Sequence, residues 1–263
     1  MALTDDDAGM LTRILDGKVE FPRSMPGIPV ELTPEQQIAL CARILDQAGF
    51  TLDVAGHITV VKPGSTDMWC TPYGLFWNEI KASDIISIDR DGQVIGGMWD
   101  VTPAVAIHTE LHKRRPEARV IIHNHPYHAT LLATMHRLPE IADQQACLFD
   151  GEMVLFDEYT GGVDNAREGQ HLADALGTGT AAILANHGVL VLAGTIEQAT
   201  YKATLFERTC RLAVDAARMS CEPVPVPPEA RGTLKAMITR HSSKFFWDAS
   251  VRNVLRTHPE VLQ

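Results

Sequence analysis

The sequence predicts an α/β fold, because short apolar, β-branched runs alternate with longer segments of helical periodicity. An α+β fold is the alternative, and it would result if the short early strands pair antiparallel. The length of 263 residues is enough for one substantial core. We therefore expect one domain over residues 1–221, followed by a proline-rich linker and a helical tail over 222–263 that packs on the same domain.

The first helix is predicted by signals at both ends. Thr33 stands at the N-cap, Pro34 lies in the first turn, Gln36 completes a capping box and Gly49 stops the helix. Strand-like runs follow in "HITVV", "MWCTP", "DIISID" and "QVIGG", which begin at residues 57, 68, 84 and 93.

The second half of the chain alternates in the same way. Thr102-Pro103 opens a second helix that ends before Pro116. "ARVIIHNH" and "MVLFD" predict buried strands, a helix is expected over 165–176, and "AAILANHGVLVLAG" predicts two strands broken at 186–188. A capping box at Thr195 then begins a long helix that ends near Ser220. Residues 222–230, "EPVPVPPEA", form a stiff linker.

Charge and composition exclude several classes of partner. The formal net charge of -10 argues against nucleic acid and against anionic membranes. The N-terminal segment lacks the layout of a signal peptide, and no apolar run approaches the roughly 20 residues that span a bilayer. Five scattered cysteines without CxxC spacing predict reduced thiols in a cytoplasmic protein.

Three histidines lie within "RVIIHNHPYHAT", residues 119–130. Side chains alternate along a strand, so His123 and His125 face the same side, while Asn124 faces the other. Two imidazoles on one face can reach one cation at roughly 2.0–2.2 Å each. The competing interpretation is that they only satisfy hydrogen bonds at the edge of the core.

A third histidine favours the metal interpretation. His187 ends the apolar run "AAILANHG", and Gly188 leaves room beside it. Three neutral imidazoles with one open position are typical of catalytic zinc or another divalent metal. His108 and His112, four residues apart on a helix, form a competing pair, although helix-face histidines are more often structural.

The two histidine motifs resemble the class II aldolase/adducin family. The resemblance covers roughly residues 36–220 and includes "AGHITV", "CTPYG", "SDIISIDRDGQVI", "RPEARVIIHNHPYHAT" and "LANHGVLVLAGTIEQA". It implies a three-layer α/β/α sandwich with a mostly antiparallel central sheet, in a homotetramer whose active sites lie near subunit interfaces. It also implies that His123, His125 and His187 hold one divalent ion per subunit, such as Mn, Zn, Fe or Co.

The sequence departs from the family's sugar-phosphate aldolases at the acid/base. Those enzymes carry a glutamate four residues before the histidine that matches His108, and this chain has Ala104 there. An alanine methyl group cannot move a proton. The chain is more similar to members without the glutamate, which include decarboxylases of hydroxylated aromatic or pyridine dicarboxylic acids and an iron oxygenase.

The phosphate-pocket positions of the family also differ. Its Gly-Asn-x-Ser is replaced by "GHIT" with His57, and its Thr-Pro-Ser-Gly by "TPYG" with Thr71 and Tyr73. Pro103 replaces a serine next to Thr102. An aromatic or planar acid is therefore expected in place of a phosphosugar, with His57, Thr71, Tyr73 and Thr102 as its predicted contacts.

We accordingly predict a metal-dependent carbon–carbon lyase, specifically a decarboxylase of a small hydroxylated aromatic (di)carboxylate. His57, His128 and Tyr159 are the candidate proton donors or carboxylate anchors. The alternatives are retro-aldol cleavage of a non-phosphorylated hydroxy-keto acid, oxygen activation by non-heme iron on the same histidines, and a non-enzymatic adducin-like interaction module.

Overall fold

The computed structural model of the protein describes residues 25–51, 54–159, 165–220 and 222–263, together with residues 9, 13–14 and 16–18. The predictions for the first eight residues and for Cys221 lie outside this part of the chain. Within it, no helix combines the length and the apolar character needed to cross a membrane.

Seven α-helices and eight strands are described, joined by short 3-10 turns. The helices are α1 (Pro34–Gln47), α2 (Ala106–Arg114), α3 (Tyr127–Thr134), α4 (Ala166–Leu176), α5 (Ile196–Arg218), α6 (Pro228–Met237) and α7 (Ser243–Thr257). The strands are β1 (His57–Val61), β2 (Met68–Cys70), β3 (Ile86–Ile88), β4 (Val94–Gly96), β5 (Val120–Asn124), β6 (Met153–Phe156), β7 (Ala181–Leu184) and β8 (Val189–Ala193). A π-helical turn over Ile238–Ser242 joins α6 to α7.

Helix starts follow the capping signals of the sequence. The predicted capping box of α1 is confirmed, because Thr33 Oγ1 accepts from the Gln36 amide and the Gln36 side chain accepts from the Thr33 amide. Thr195 Oγ1 likewise accepts from the Gln198 amide at the start of α5. The predicted linker is shorter than expected, because Pro228 takes the first position of α6, where a missing N–H costs nothing.

The strands form one sheet in the order β4-β3-β2-β1-β5-β8-β7-β6. The expectation of a mostly antiparallel sheet needs a correction, because the sheet is mixed: β6 pairs parallel with β7. The reason lies in the connection between them. Helix α4 carries the chain from the end of β6 back to the start of β7, and such a crossover makes neighbouring strands parallel.

Helices cover both faces of the sheet, and the alternation of strand residues decides what each face buries. Val120 and Ile122 of β5 pack in the larger core with α1, α3, α5 and α7. Ile121, between them, packs in a second core with α2 and α4. His123 follows Ile121 at the same parity, so it lies on the α2 side of the sheet.

The central strands begin and end at two opposite sides of the sheet, and these two sides differ in the residues they carry. Each side is called an edge here, in the sense of a row of strand ends. At one edge β5 and β7 end and β8 begins, since Asn124 pairs with Val189 and Ile183 with Val189. We call this the histidine edge, because His123, His125 and His187 lie there. At the other edge Val120 pairs with Ala193.

Candidate metal centre

Three imidazoles converge at the histidine edge. One nitrogen from each of His123, His125 and His187 lies within 4.8 Å of the other two. Nitrogens bound to one ion at about 2.0–2.1 Å are separated by roughly 3 to 4 Å. The triad can therefore close on a single divalent ion through small side-chain movements.

His123 is oriented by the backbone of the neighbouring strand. Its Nδ1 lies 2.9 Å from the carbonyl oxygen of Val189, which can only accept, so Nδ1 carries the proton and Nε2 keeps its lone pair. Such a hydrogen bond from the second nitrogen is the usual support of a metal-ligating histidine. Burial, and then repulsion from the neighbouring imidazoles of His57, His187 and His125, lower the pKa of His123 well below its ordinary value.

His187 is positioned by a tight connection between β7 and β8. Asn186 adopts a left-handed backbone conformation with φ 54°, and its amide nitrogen donates to Ala133 O at 3.0 Å. Its side-chain nitrogen lies 2.9 Å from His136 Nε2, and His136 Nδ1 contacts Asp157. These hydrogen bonds connect the ends of β6, α3 and β7 at the residue before His187.

Gly188 makes room for His125. A Cβ atom at this glycine would lie 2.5 Å from His125 Cδ2 and 2.6 Å from Asn124 O, so no larger residue fits without displacing the ring. The side chain of Asn124 points to the opposite face, as the alternation predicts, and its Oδ1 accepts from the His125 amide at 2.6 Å.

The residues present fit a divalent metal. Among the described residues, the side chains grouped closely enough to share an ion here are three histidines, with no carboxylate. A deprotonated nitrogen is the form that binds metal, and the lowered pKa of His123 keeps this imidazole neutral at pH 7. The triad can thus hold a metal, and three imidazoles do not select one metal over another.

His57 lies directly beside the triad. It pairs with His123 across β1 and β5, and their ring centroids are 5.0 Å apart. It is 1% exposed, its Nδ1 donates to Ala55 O at 3.2 Å, and burial lowers its pKa to about 4. The predicted site residue is therefore brought to the triad as a neutral imidazole.

His108 and His112, the competing metal pair, are held by a threonine. Thr59 Oγ1 lies 2.6 Å from His108 Nδ1 and 2.8 Å from His112 Nε2. His112 Nδ1 donates to Ala118 O at 2.8 Å, so Nε2 accepts from the Thr59 hydroxyl, which in turn accepts from His108. His108 stacks on His57 with centroids 4.2 Å apart. We call His57, His108 and His112 the histidine column.

His128 is bound by a carboxylate that the sequence analysis missed. Its Nδ1 lies 2.7 Å from Glu207 Oε1, and the amides of His128 and Ala129 donate to the two oxygens of the same carboxylate. Glu207 thereby caps the start of α3. A signal was present, because Glu207 lies on the buried stripe of α5 with Ala203, Cys210 and Val214, where a charge requires a partner.

The remaining predicted residues are dispersed. Thr71 is buried, and its hydroxyl accepts from the Ile58 amide at 2.9 Å. Tyr73 and Thr102 line a cavity of 880 Å³ together with Asp91 and Glu110. Tyr159 is 60% exposed after β6.

Known proteins are similar to this chain in sequence and in fold. The family described as Class II Aldolase and Adducin N-terminal domain matches residues 36–214. A Streptomyces roseochromogenus protein named 4-hydroxy-3-prenylphenylpyruvate oxygenase/4-hydroxy-3-prenylbenzoate synthase is 34% identical, over 71% of this chain and 69% of that protein. Decarboxylase NovR from Streptomyces niveus is 32% identical, over 73% of this chain and 72% of that protein.

A solved structure extends the likeness to most of the fold. L-fuculose 1-phosphate aldolase from Glaciozyma antarctica superposes with a TM-score of 0.77 at 25% identity, covering 87% of this chain and 91% of the other. The family match spans more than half of the chain and includes all three histidines of the triad. The chain therefore belongs to the class II aldolase and adducin N-terminal domain family.

Proposed function

We propose that the protein is a metal-dependent carbon–carbon lyase, and specifically a decarboxylase of a small hydroxylated aromatic carboxylate or dicarboxylate. The observation that carries the proposal is the convergence of His123, His125 and His187 with no carboxylate in the cluster, in a chain that has Ala104 at the family's acid/base position. Loss of CO₂ does not begin with removal of a proton from carbon, so it needs no glutamate at position 104.

A divalent metal at the triad would supply Lewis-acid polarisation of the substrate oxygens. The chain's own residues would bind the substrate and return the proton. His57, buried beside His123, would hydrogen-bond a substrate held at the triad. His128 donates through Nδ1 to Glu207, so its Nε2 would accept a hydrogen bond from the substrate, and it would return a proton to the substrate ring only from the imidazolium form. Tyr159 is the third candidate for that contact.

Substrate preference is inferred from the surroundings. The predicted contacts Tyr73 and Thr102 line one cavity, and the Thr71 hydroxyl accepts from the Ile58 amide of β1. Serines of the family's phosphate pocket are replaced here by Thr59, Tyr73 and Pro103, and the Thr59 hydroxyl is bonded to both His108 and His112. This composition disfavours a phosphate. The decarboxylase name of a 32% identical relative supports the same class of reaction.

An iron-dependent oxygenase is the second candidate, and the 34% identical oxygenase relative is the observation that favours it. Retro-aldol cleavage of a non-phosphorylated hydroxy-keto acid and an adducin-like binding role complete the alternatives. An interaction module has no need of a histidine triad whose nitrogens lie within 4.8 Å, which favours the enzymes.

The metal is tested first, by measuring bound metal in purified wild type, His123→Ala and His187→Ala. We expect about one divalent ion per chain in wild type and loss of the ion from both folded variants. His171→Ala is the control, because this histidine is exposed and paired with Glu158. Full occupancy in either triad variant would contradict the site.

The reaction is tested by an anaerobic screen of hydroxyphthalate-like and hydroxypyridine dicarboxylates. Release of CO₂ that a chelator abolishes is the expected result. A strict requirement for O₂ would favour the oxygenase, and an aldehyde or ketone fragment without CO₂ would favour the aldolase. Either outcome rejects the decarboxylase.

We also propose a homotetramer with active sites near subunit interfaces, in the cytoplasm. The family supports the assembly. Four buried free cysteines, Cys41, Cys70, Cys147 and Cys210, support a reducing compartment. Light scattering of the purified protein tests the assembly.

A further inference from the structure

A second cavity lies at the edge of the sheet opposite the triad. It has a volume of 220 Å³ and is bordered by β8, α5 and the segment that joins α6 to α7. Leu148, Leu192, Tyr201 and Ile238 form most of its apolar wall, and Lys202 lies in its polar part. We call it the lysine cavity.

The lysine cavity is separate from the metal centre. Ala193 lines the cavity at the end of β8, whereas His187 precedes the start of that strand. The length of β8 separates them, which is roughly 13 Å at the usual rise per residue. A ligand in one place does not occupy the other.

The backbone is irregular where it borders this cavity. Ile238–Ser242 form a π-helical turn, and Ile238, Thr239 and Ser243 line the cavity. A π turn inserts a residue into a helix at the cost of weaker hydrogen bonding, and such turns are rare and frequent at functional sites. Here it widens the helix beside the opening.

Polar groups around the cavity retain hydrogen-bonding capacity. Lys202 Nζ lies 2.9 Å from Glu152 Oε2 and 2.6 Å from Thr180 Oγ1, which uses two of the three ammonium protons. Arg115 donates through Nη1 to the carbonyls of Gly177 and Gly179 and through Nε to Glu117. Its Nη2 group is left for a further acceptor.

The ion-pair network around the cavity carries one excess positive charge. Arg115, Lys202 and Lys235 supply three positive charges, and Glu117 and Glu152 supply two negative ones. Lys235 pairs with Glu152 behind the lining, and the other four charged residues line the cavity. Burial lowers the pKa of Lys202, the ion pair with Glu152 opposes this shift, and the charges of Lys235 and Arg115 lower the pKa further to a smaller extent. An anion near Lys202 and Arg115 would offset the repulsion between these cations.

We propose that the lysine cavity binds a small organic carboxylate, with the carboxylate on Lys202 and Arg115 and an apolar body of about one ring against Leu192 and Ile238. The volume supports this size, because a cavity of about 150 Å³ accommodates benzene. Apolar walls with a few convergent polar groups are the usual composition of a small-molecule site.

The test measures binding of benzoate to the full-length protein by calorimetry, with neutral benzamide for comparison. We expect benzoate to bind at least about tenfold more tightly than benzamide, because a hydrogen bond to a charged group is worth that much or more. Equal binding of the two compounds would overturn the proposal.

Variants locate the site. Lys202→Met should weaken benzoate binding by about tenfold or more, while Arg211→Met, an exposed cation on the same helix, should leave it unchanged. If Lys202→Met does not fold, Thr239→Trp tests the same point, since this exposed residue lies at the rim and an indole there would block entry. Unchanged binding in the folded cavity variant would overturn the proposal.

Binding at the metal centre must be distinguished, because a carboxylate can also ligate a metal. His187→Ala should therefore bind benzoate as wild type does. Loss of binding in His187→Ala would place benzoate at the triad and reject the lysine cavity as its site. These results do not depend on which reaction the triad catalyses.

Discussion

The two edges of the sheet bury polar side chains in different forms, neutral imidazoles at one edge and ion-paired charged groups at the other. At the histidine edge burial keeps the three imidazoles of the column and that of His123 neutral, and a cation must come from outside the chain. At the lysine cavity the chain brings its own charges, and Glu152 lies between Lys202 and Lys235. A buried charge is costly without a partner. The neutral imidazoles of the histidine edge can therefore bind a cation without repelling it. The ion-pair network at the lysine cavity has one excess positive charge, which an anion can pair with.

The two edges should lose stability in different ranges of pH, and the histidine column should give the larger effect. Burial lowers the pKa of His112 to about 4 from 6.5. Between these pH values the unfolded chain binds more protons than the folded chain. The contribution of His112 to the free energy of unfolding is therefore fully present above pH 6.5 and is lost as the pH falls toward 4. The loss is about 3 kcal/mol.

Urea unfolding of metal-free protein at pH 7 and pH 4.5 measures this loss. In His112→Gln the loss should be smaller than in wild type by about 2 to 3 kcal/mol. His171→Gln, at an exposed histidine, is the control and should behave like wild type. If the free energy of unfolding falls equally in His112→Gln and in wild type between pH 7 and pH 4.5, the pKa of His112 is not lowered by burial.

Gly188→Ala tests whether the histidine edge is shaped for one ion. The new methyl group would displace the His125 ring, so metal affinity should fall by about 10- to 100-fold, the range found when the support of a ligand is lost. Competition with a chelator measures it. Gly232→Ala, where no atom lies within 4 Å, is the matched control. Unchanged affinity in Gly188→Ala would mean that the ring can move without cost.

Glu152→Gln tests the charged edge and should have the smallest effect. Burial raises the pKa of Glu152, but the hydrogen bonds from Lys235 and Thr180 and the ion pair with Lys202 together outweigh it and bring the pKa to about 2. Its contribution is therefore present above pH 4.5 and lost as the pH falls from 4.5 toward 2.

The expected loss of unfolding free energy in Glu152→Gln at pH 7 is about 1 to 2 kcal/mol, reduced by partial exposure of the pair. The variant should approach wild type at pH 2.5. The exposed Glu31→Gln is the control. A difference from wild type that stays constant with pH would indicate a packing defect.

Local pattern was enough to predict much of the histidine edge. The alternation of β5 predicted that His123 and His125 lie on one side, and their nitrogens lie close to that of His187. Gly188 was expected to leave room beside His187, whereas the structure shows the His125 ring against it. Capping signals also gave the start of α1 correctly. These features depend on residues that are near one another in the chain.

Features that depend on distant pairing were not predicted. The register that sets His57 opposite His123 joins strands more than 60 residues apart, and no local pattern encodes it. The parallel pairing of β6 with β7 depends on where α4 packs. Glu152 and Lys202 form an ion pair from different elements, and each alone has the pattern of a solvated surface charge.

The register of β1 has a consequence for how this chain can change during evolution. β1 lies between β2 and β5 in the middle of the sheet, so its alignment is fixed from both sides. One inserted residue within β1 would exchange its two faces and set Ile58 or Gly56 where His57 now meets His123. Single substitutions at the histidine edge keep this register, whereas an insertion or deletion keeps it only when it falls in a loop outside β1.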